Sequence, residues 1–211
     1  MDYTNDHGQH SSTASQDFNN ALAISEDPRA ARMCDAAYMR YFSFDTPVRK
    51  IQRDVSRHTA AQAGGNDATI CTLVGDLIAE EKYRPDRGHW DLAIEIYHEP
   101  DNGGERRKGW VDTYKGPDNG GPHVIAYAYG KTGDVLVMPW VSLRCAYFYN
   151  KKTWLEQAEA DKNKEWKERK YSIAKHHDPV AGYTSVCLCV PIEEILRTVT
   201  CAKLIPVEEK R

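Results

Sequence analysis

Gly65-Asn66-Asp67-Ala-Thr-Ile-Cys-Thr-Leu-Val-Gly75-Asp76-Leu-Ile-Ala-Glu80-Glu81-Lys82-Tyr83 reads as two short β-strands joined by a tight turn. Ala68 to Val74 and Leu77 to Tyr83 are apolar and rich in β-branched residues, and Gly75-Asp76 is a two-residue turn of the kind hairpins favour. Side chains alternate along a strand, so Glu80 and Lys82 share one face and Glu81 takes the other. Folding back at Gly75-Asp76 carries Asp67 toward Glu80 and Lys82. Two carboxylates beside one lysine offer hard oxygen ligands for Mg²⁺ or Mn²⁺. Such an ion stabilises charge growing on a phosphoryl group and lowers the pKa of a bound water. The lysine can hold that water or stabilise an anionic transition state. A cross-strand ion pair is the other reading of the same spacing.

Outward from this hairpin, elements of both kinds alternate. Ser25 to Phe44 has a cap, an early proline and apolar residues at helical spacing, and Pro47 marks its stop. Residues 51 to 56 form a short strand. Trp90 to Tyr97 is a third strand after the hairpin, with Asp91 and Glu95 on one face and Leu92, Ile94 and Ile96 on the other. Those two acids are either a solvent-facing row or an acidic wall beside the metal site, with Glu95 as a further ligand or a support for one. Arg106-Arg107-Lys108 reads as a basic loop ahead of Gly109-Trp110, where Trp110 is expected to pack rather than to stack on a base. Val124 to Tyr129 and Val135 to Met138 form a hairpin. Val141 to Tyr149 and Thr153 to Tyr171 read as two helices, the second with a mixed-charge solvated face. Thr184 to Val190 is a strand, and Pro191 opens a last helix to Val199. This order predicts an α/β (α+β) domain with a central mixed sheet flanked by helices. Residues 1–20, polar throughout, read as a disordered tail, and 21–211 as a single domain.

Composition removes several classes. The chain has 211 residues, 41% hydrophobic and 28% charged, which excludes collagen-like and wholly disordered proteins. No apolar run approaches the roughly 18 residues that span a bilayer, and no secretory signal pattern opens the chain, so a cytoplasmic protein is expected. Asp2, Asp6 and Asp17 belong to the tail; without them 28 acids face 28 Lys and Arg. Bulk charge therefore does not announce nucleic-acid binding. Cys34, Cys71, Cys145, Cys187, Cys189 and Cys201 lack zinc-ligand spacing and read as buried free thiols. No Gly-x-Ser-x-Gly elbow and no Walker loop is present, and His176-His177 reads as surface.

Asp67-x12-Glu80-Glu81-Lys82 resembles the signature of the PD-(D/E)XK nuclease superfamily, the restriction-endonuclease-like fold. A longer pattern is similar to an uncharacterised bacterial and phage family of that fold. It comprises Gly65-Asn66-Asp67, Glu80-Glu81-Lys82, Asp91 to Glu95, Gly109-Trp110 with Lys115, and Val124 to Tyr129. It continues through Pro139 to Arg144 and from Tyr183-Thr184 to Val190-Pro191. The resemblance implies Asp67 and Glu80 as metal ligands, Lys82 as the catalytic lysine, and a Mg²⁺ or Mn²⁺ cofactor. Asn66 stands where the signature has proline. The resemblance also implies Gln62 as an orienting or substrate residue, Lys115 as a phosphate contact, and Asp35 or Glu26 as a helix acid joining the metal site. Asp86 mimics the signature with Glu95 downstream, but Glu95-Ile96-Tyr97 lacks the lysine. The implied activity is phosphodiester hydrolysis, in DNA rather than RNA, and a homodimer follows by analogy. The alternatives are a catalytically silent nuclease-fold protein used for binding or regulation in a phage or bacterium, and an enzyme acting on a small phosphate ester.

Overall fold

A computed structural model describes residues 27–42, 46–53, 67–84, 91–113, 121–178 and 182–207. The polar tail and the residues Gln62, Lys115, Glu26 and Asp86 lie outside them. Helix α1 (Pro28–Tyr41) starts at Asp27, whose carboxylate accepts from the Arg29 amide at 2.7 Å, with Pro28 in the first turn where a missing N–H costs nothing. Strands β1 (Val48–Gln52), β2 (Ala68–Thr72) and β3 (Asp76–Arg84) form an antiparallel meander. The chain then builds β4 (Asp91–Pro100), β5 (Arg107–Lys108) and a one-turn helix α2 (Trp110–Thr113). It returns as β6 (Val124–Tyr129), parallel to β3, and β7 (Asp134–Pro139) completes a hairpin with β6. Helix α3 (Trp140–Asp161), β8 (Ser172–Asp178), β9 (Tyr183–Pro191), α4 (Ile192–Thr198) and β10 (Lys203–Pro206) follow.

The strands form two sheets. A mixed six-stranded sheet has the order β1-β2-β3-β6-β7-β10, and an antiparallel four-stranded sheet has the order β5-β4-β9-β8. The α/β (α+β) class and a mixed sheet flanked by helices agree with the expectation, and a second, antiparallel sheet accompanies the mixed one. Because β6 occupies the free edge of β3, with Glu80 beside Ile125 and Arg84 beside Tyr129, no edge remains there for β4. That strand pairs with β9 instead.

Strands β6 and β7 are buried on both faces, as strands covered on both sides must be. Val124, Ala126 and Ala128 pack with Met33, Cys34, Ala37 and Tyr38 of α1. Ile125, Tyr127 and Tyr129 face the opposite way and join Leu92, Ile94, Leu188, Trp140 and Trp154 in the larger core.

Three further departures from the sequence reading have local causes. The two helices expected over 141–171 are one helix ending at Asp161, because Trp140, Leu143, Tyr147, Trp154 and Ala158 make one continuous buried face. Asn150, which resembles a break, donates its side-chain amide back to the Ala146 carbonyl at 2.8 Å within the helix. Strand β8 was hidden because an edge strand with exposed Ile173, Ala174, Lys175, His176 and His177 shows no alternation. The thiols are not uniformly buried: Cys34 and Cys189 are, Cys71 and Cys187 are half-buried, and Cys145 and Cys201 are exposed. Trp110 is buried and packs against Trp140 with ring centroids 5.7 Å apart, as expected of a packing residue.

Candidate active site

The site grows from the β2–β3 hairpin. Ala68 lies opposite Ala79, so Asp67, one residue before the strand, comes level with Glu80. The Asp67 amide donates to the Ala79 carbonyl at 2.9 Å, and Asp67 Oδ2 accepts from the Glu81 amide at 2.7 Å. The aspartate is thus held by main-chain bonds at both its backbone and its side chain. Glu80 is 2% exposed and forms an ion pair with the Lys82 ammonium. Burial, and after it the negative charge of Glu80, push the Asp67 carboxyl up to about 7, with Lys82 and the Glu81 amide pulling the other way.

Glu81 points to the opposite face, as strand alternation requires. It accepts from Tyr38 Oη at 3.1 Å and from Arg53 Nε and Nη2 at 3.1 and 2.7 Å. Burial raises its carboxyl above the ordinary range, and the Arg53 hydrogen bonds pull it down. Arg53 also pairs with Asp35 at 2.7 Å. Asp35 therefore sits on the α1 side of the sheet, bound to Arg53, and not with Glu80 and Lys82.

The far end of β3 reaches the second sheet. Arg84 lies two residues beyond Lys82 on the same face, opposite Tyr129, and its guanidinium carbon is 5.9 Å from the centre of the Tyr127 ring. Its Nη1 pairs with Asp91 Oδ1, while the Asp91 carbonyl accepts from Tyr129 Oη at 2.9 Å. Asp91 is thus tied to β3 through Arg84, a residue absent from the sequence expectation. Period-two spacing after Glu80 and Lys82 was the available signal for Arg84.

Glu95 has other partners. Its Oε2 accepts from Ser185 Oγ at 3.0 Å, and its Oε1 accepts from the Trp110 amide at 3.3 Å and lies 2.9 Å from His98 Nε2. Ser185 Oγ is also 3.3 Å from His98 Nδ1. Both oxygens are committed to β4, β9 and the start of α2. The Gly109-Trp110 pair makes this possible, because Gly109 packs its Cα directly against the Glu95 carbonyl.

The donor set fits a divalent ion held by few protein groups. Among the described residues no three of His, Cys, Asp and Glu come together at metal-binding distance, whereas Mg²⁺ is commonly held by one or two carboxylates and several waters. Asp67, half-buried, and Glu80, buried, are such a pair: Glu80 raises the Asp67 carboxyl and Lys82 lowers it.

Comparison with known proteins gives no matching family model, no matching curated protein and no matching solved structure. Among the described residues, no helix is long and apolar enough to cross a membrane.

Proposed function

We propose that the chain is a metal-dependent nuclease of the PD-(D/E)XK kind, hydrolysing phosphodiester bonds in DNA and acting in the cytoplasm. The observation that carries this reading is the convergence of Asp67, Glu80 and Lys82 on one hairpin face. Cross-strand pairing alone needs one acid and one base; a second acid, half-buried and repelled by Glu80, raises the electrostatic cost. Asp67 and Glu80 would hold Mg²⁺, which supplies Lewis acidity toward the phosphoryl group and a more acidic bound water.

The remaining roles belong to the chain itself. The Glu81 amide, a main-chain donor fixed by the strand, orients the Asp67 carboxylate. Lys82, 37% exposed at its side chain and tethered to Glu80, presents a cation to solvent beside the acid pair. There it can hold the attacking water or stabilise the pentavalent anion as charge builds on the phosphoryl oxygens. The choice of DNA rests on the family resemblance.

The test is cleavage of labelled double-stranded, single-stranded and branched DNA, and of RNA, with Mg²⁺, Mn²⁺ or EDTA. Wild type is expected to cut in a metal-dependent way, with Lys82→Ala and Glu80→Ala inactive though folded. Absence of cutting on every substrate would overturn the reading in favour of a nuclease-fold binding protein.

A further inference from the structure

The face of β3 that carries Glu80 and Lys82 continues to Arg84, and the chain treats that arginine in an unusual way. The guanidinium is 20% exposed at its side chain, and Asp91, its one carboxylate partner among the described residues, is 13% exposed. The guanidinium carbon also lies 5.9 Å from the centre of the Tyr127 ring. The pair with Asp91 runs through one nitrogen and one oxygen. An arginine fork can grip two oxygens at once, and a phosphodiester offers two. A carboxylate held by a single prong is therefore a weaker partner than the fork admits.

Position adds to this. Two residues along a strand separate Lys82 from Arg84 by about 6.6 Å, with both side chains on the face of β3 paired to Tyr127 and Tyr129. Two cations in line along a strand suit successive phosphates of a polymer better than a single phosphate ester.

We propose that Arg84 binds a backbone phosphate of the nucleic-acid strand next to the one at Lys82, and that Asp91 is the resident counter-ion which that phosphate displaces. This rests on the nuclease reading for its ligand, and names a binding residue and a competitor built into the second sheet. A merely structural cross-sheet pair predicts that losing Asp91 weakens the protein and improves nothing. A displaceable counter-ion predicts the reverse for binding.

The test is fluorescence anisotropy of a fluorescein-labelled DNA in EDTA, with cleavage in Mg²⁺ measured on the same samples. Asp91→Asn is expected to tighten binding about fivefold, and Arg84→Lys, which keeps the charge and loses the fork, to weaken it about fivefold. Circular dichroism establishes that each variant is folded. A folded Asp91→Asn protein that binds no more tightly than wild type overturns the inference. If that variant fails to fold, undiminished binding by folded Arg84→Lys overturns it equally. Wild type that binds but never cuts removes the nuclease reading and leaves the Arg84 result standing; wild type that cuts while Asp91→Asn binds no tighter removes only the inference.

Discussion

The Glu81 amide donates to Asp67 Oδ2 across 2.7 Å, so the residue between the acid and the lysine of β3 is the one that fixes the acid just ahead of β2. The Glu81 side chain is itself locked on the other face by Tyr38 and both forks of Arg53. Helix α1, the end of β1 and the centre of β3 therefore meet at one carboxylate, directly behind the candidate site. The Arg53–Glu81 ion pair thus buttresses, from the opposite face, the residue whose amide holds Asp67.

Arg53→Ala should leave Glu81 buried with Tyr38 as its remaining side-chain donor. Stranding one member of a buried pair costs several kcal/mol; partial exposure of Arg53, 26% at its side chain, brings the expected loss here to about 3 kcal/mol. Urea unfolding would show a lower midpoint with an unchanged slope. Glu81→Gln, which keeps an acceptor for Arg53 and Tyr38, should lose about 1 kcal/mol. Equal stability of Arg53→Ala and wild type would contradict the assignment.

Gly109 offers a sharper test of the fold. A Cβ there would stand 2.1 Å from the Glu95 carbonyl oxygen and 2.5 Å from its carbon, both main-chain atoms that cannot rotate away. The Gly109 amide meanwhile donates to the Ile96 carbonyl at 3.0 Å, at the irregularity in β4 pairing between Glu95 and Tyr97. Gly109→Ala should cost about 3 kcal/mol or more and shift tryptophan emission to the red as Trp110 loses its buried seat. A variant with the wild-type spectrum and melting temperature would refute the close approach.

Asp161 sets a pH dependence. At the end of α3 its carboxylate pairs with Lys164 at 2.6 Å and accepts from the Lys170 and Tyr171 amides at 2.9 and 3.1 Å. The Lys164 hydrogen bond, followed by the Tyr171 amide, holds the carboxyl down at about 2. The folded value lies below the unfolded one of about 3.9, so the stabilisation is complete above that value and fades as pH falls toward 2. Asp161→Ala should therefore be about 2 kcal/mol less stable than wild type at neutral pH, with the gap narrowing below pH 4. Urea unfolding of both proteins from pH 7 to pH 3 measures this, and a constant gap would count against it.

The β2–β3 hairpin was legible as a pair of strands, although its turn runs from Thr72 to Gly75 with Asp76 already paired to Cys71, not at Gly75-Asp76. Helix α1, the β6–β7 hairpin and the strand–helix unit of β9 and α4 were legible because each is bounded by turn residues and carries its own period. Strand alternation alone put Glu80 and Lys82 on one face and separated Asp91 and Glu95 from Leu92, Ile94 and Ile96. What it could not give is which strand pairs with which. The partner of β4 depends on β6 having taken the edge of β3, a contact between residues some forty positions apart. The partners of Glu95 illustrate the same limit. Ser185 and the Trp110 amide reach it only through the second sheet, so a local reading leaves Glu95 equally suited to a metal. Arg84 failed differently: its spacing was readable, but its meaning depends on Asp91, across residues 85–90.

The acid pair itself provides the test that separates stability from function. Asp67, half-buried, is repelled by the buried Glu80 beside it. Asp67→Asn keeps the shape and an acceptor for the Glu81 amide while removing one charge. The variant should be more stable than wild type in EDTA by about 1 kcal/mol, seen as a rise of a few degrees in melting temperature. Mg²⁺ should raise the melting temperature of wild type by mass action on the folded state and leave Asp67→Asn unmoved. The two proteins would then exchange rank as Mg²⁺ is added. Such a crossing is foreign to a structural ion pair, whose loss lowers stability at every metal concentration. If Asp67→Asn is the less stable protein in EDTA, or if Mg²⁺ raises both melting temperatures alike, Asp67 is a structural residue and the divalent site lies elsewhere.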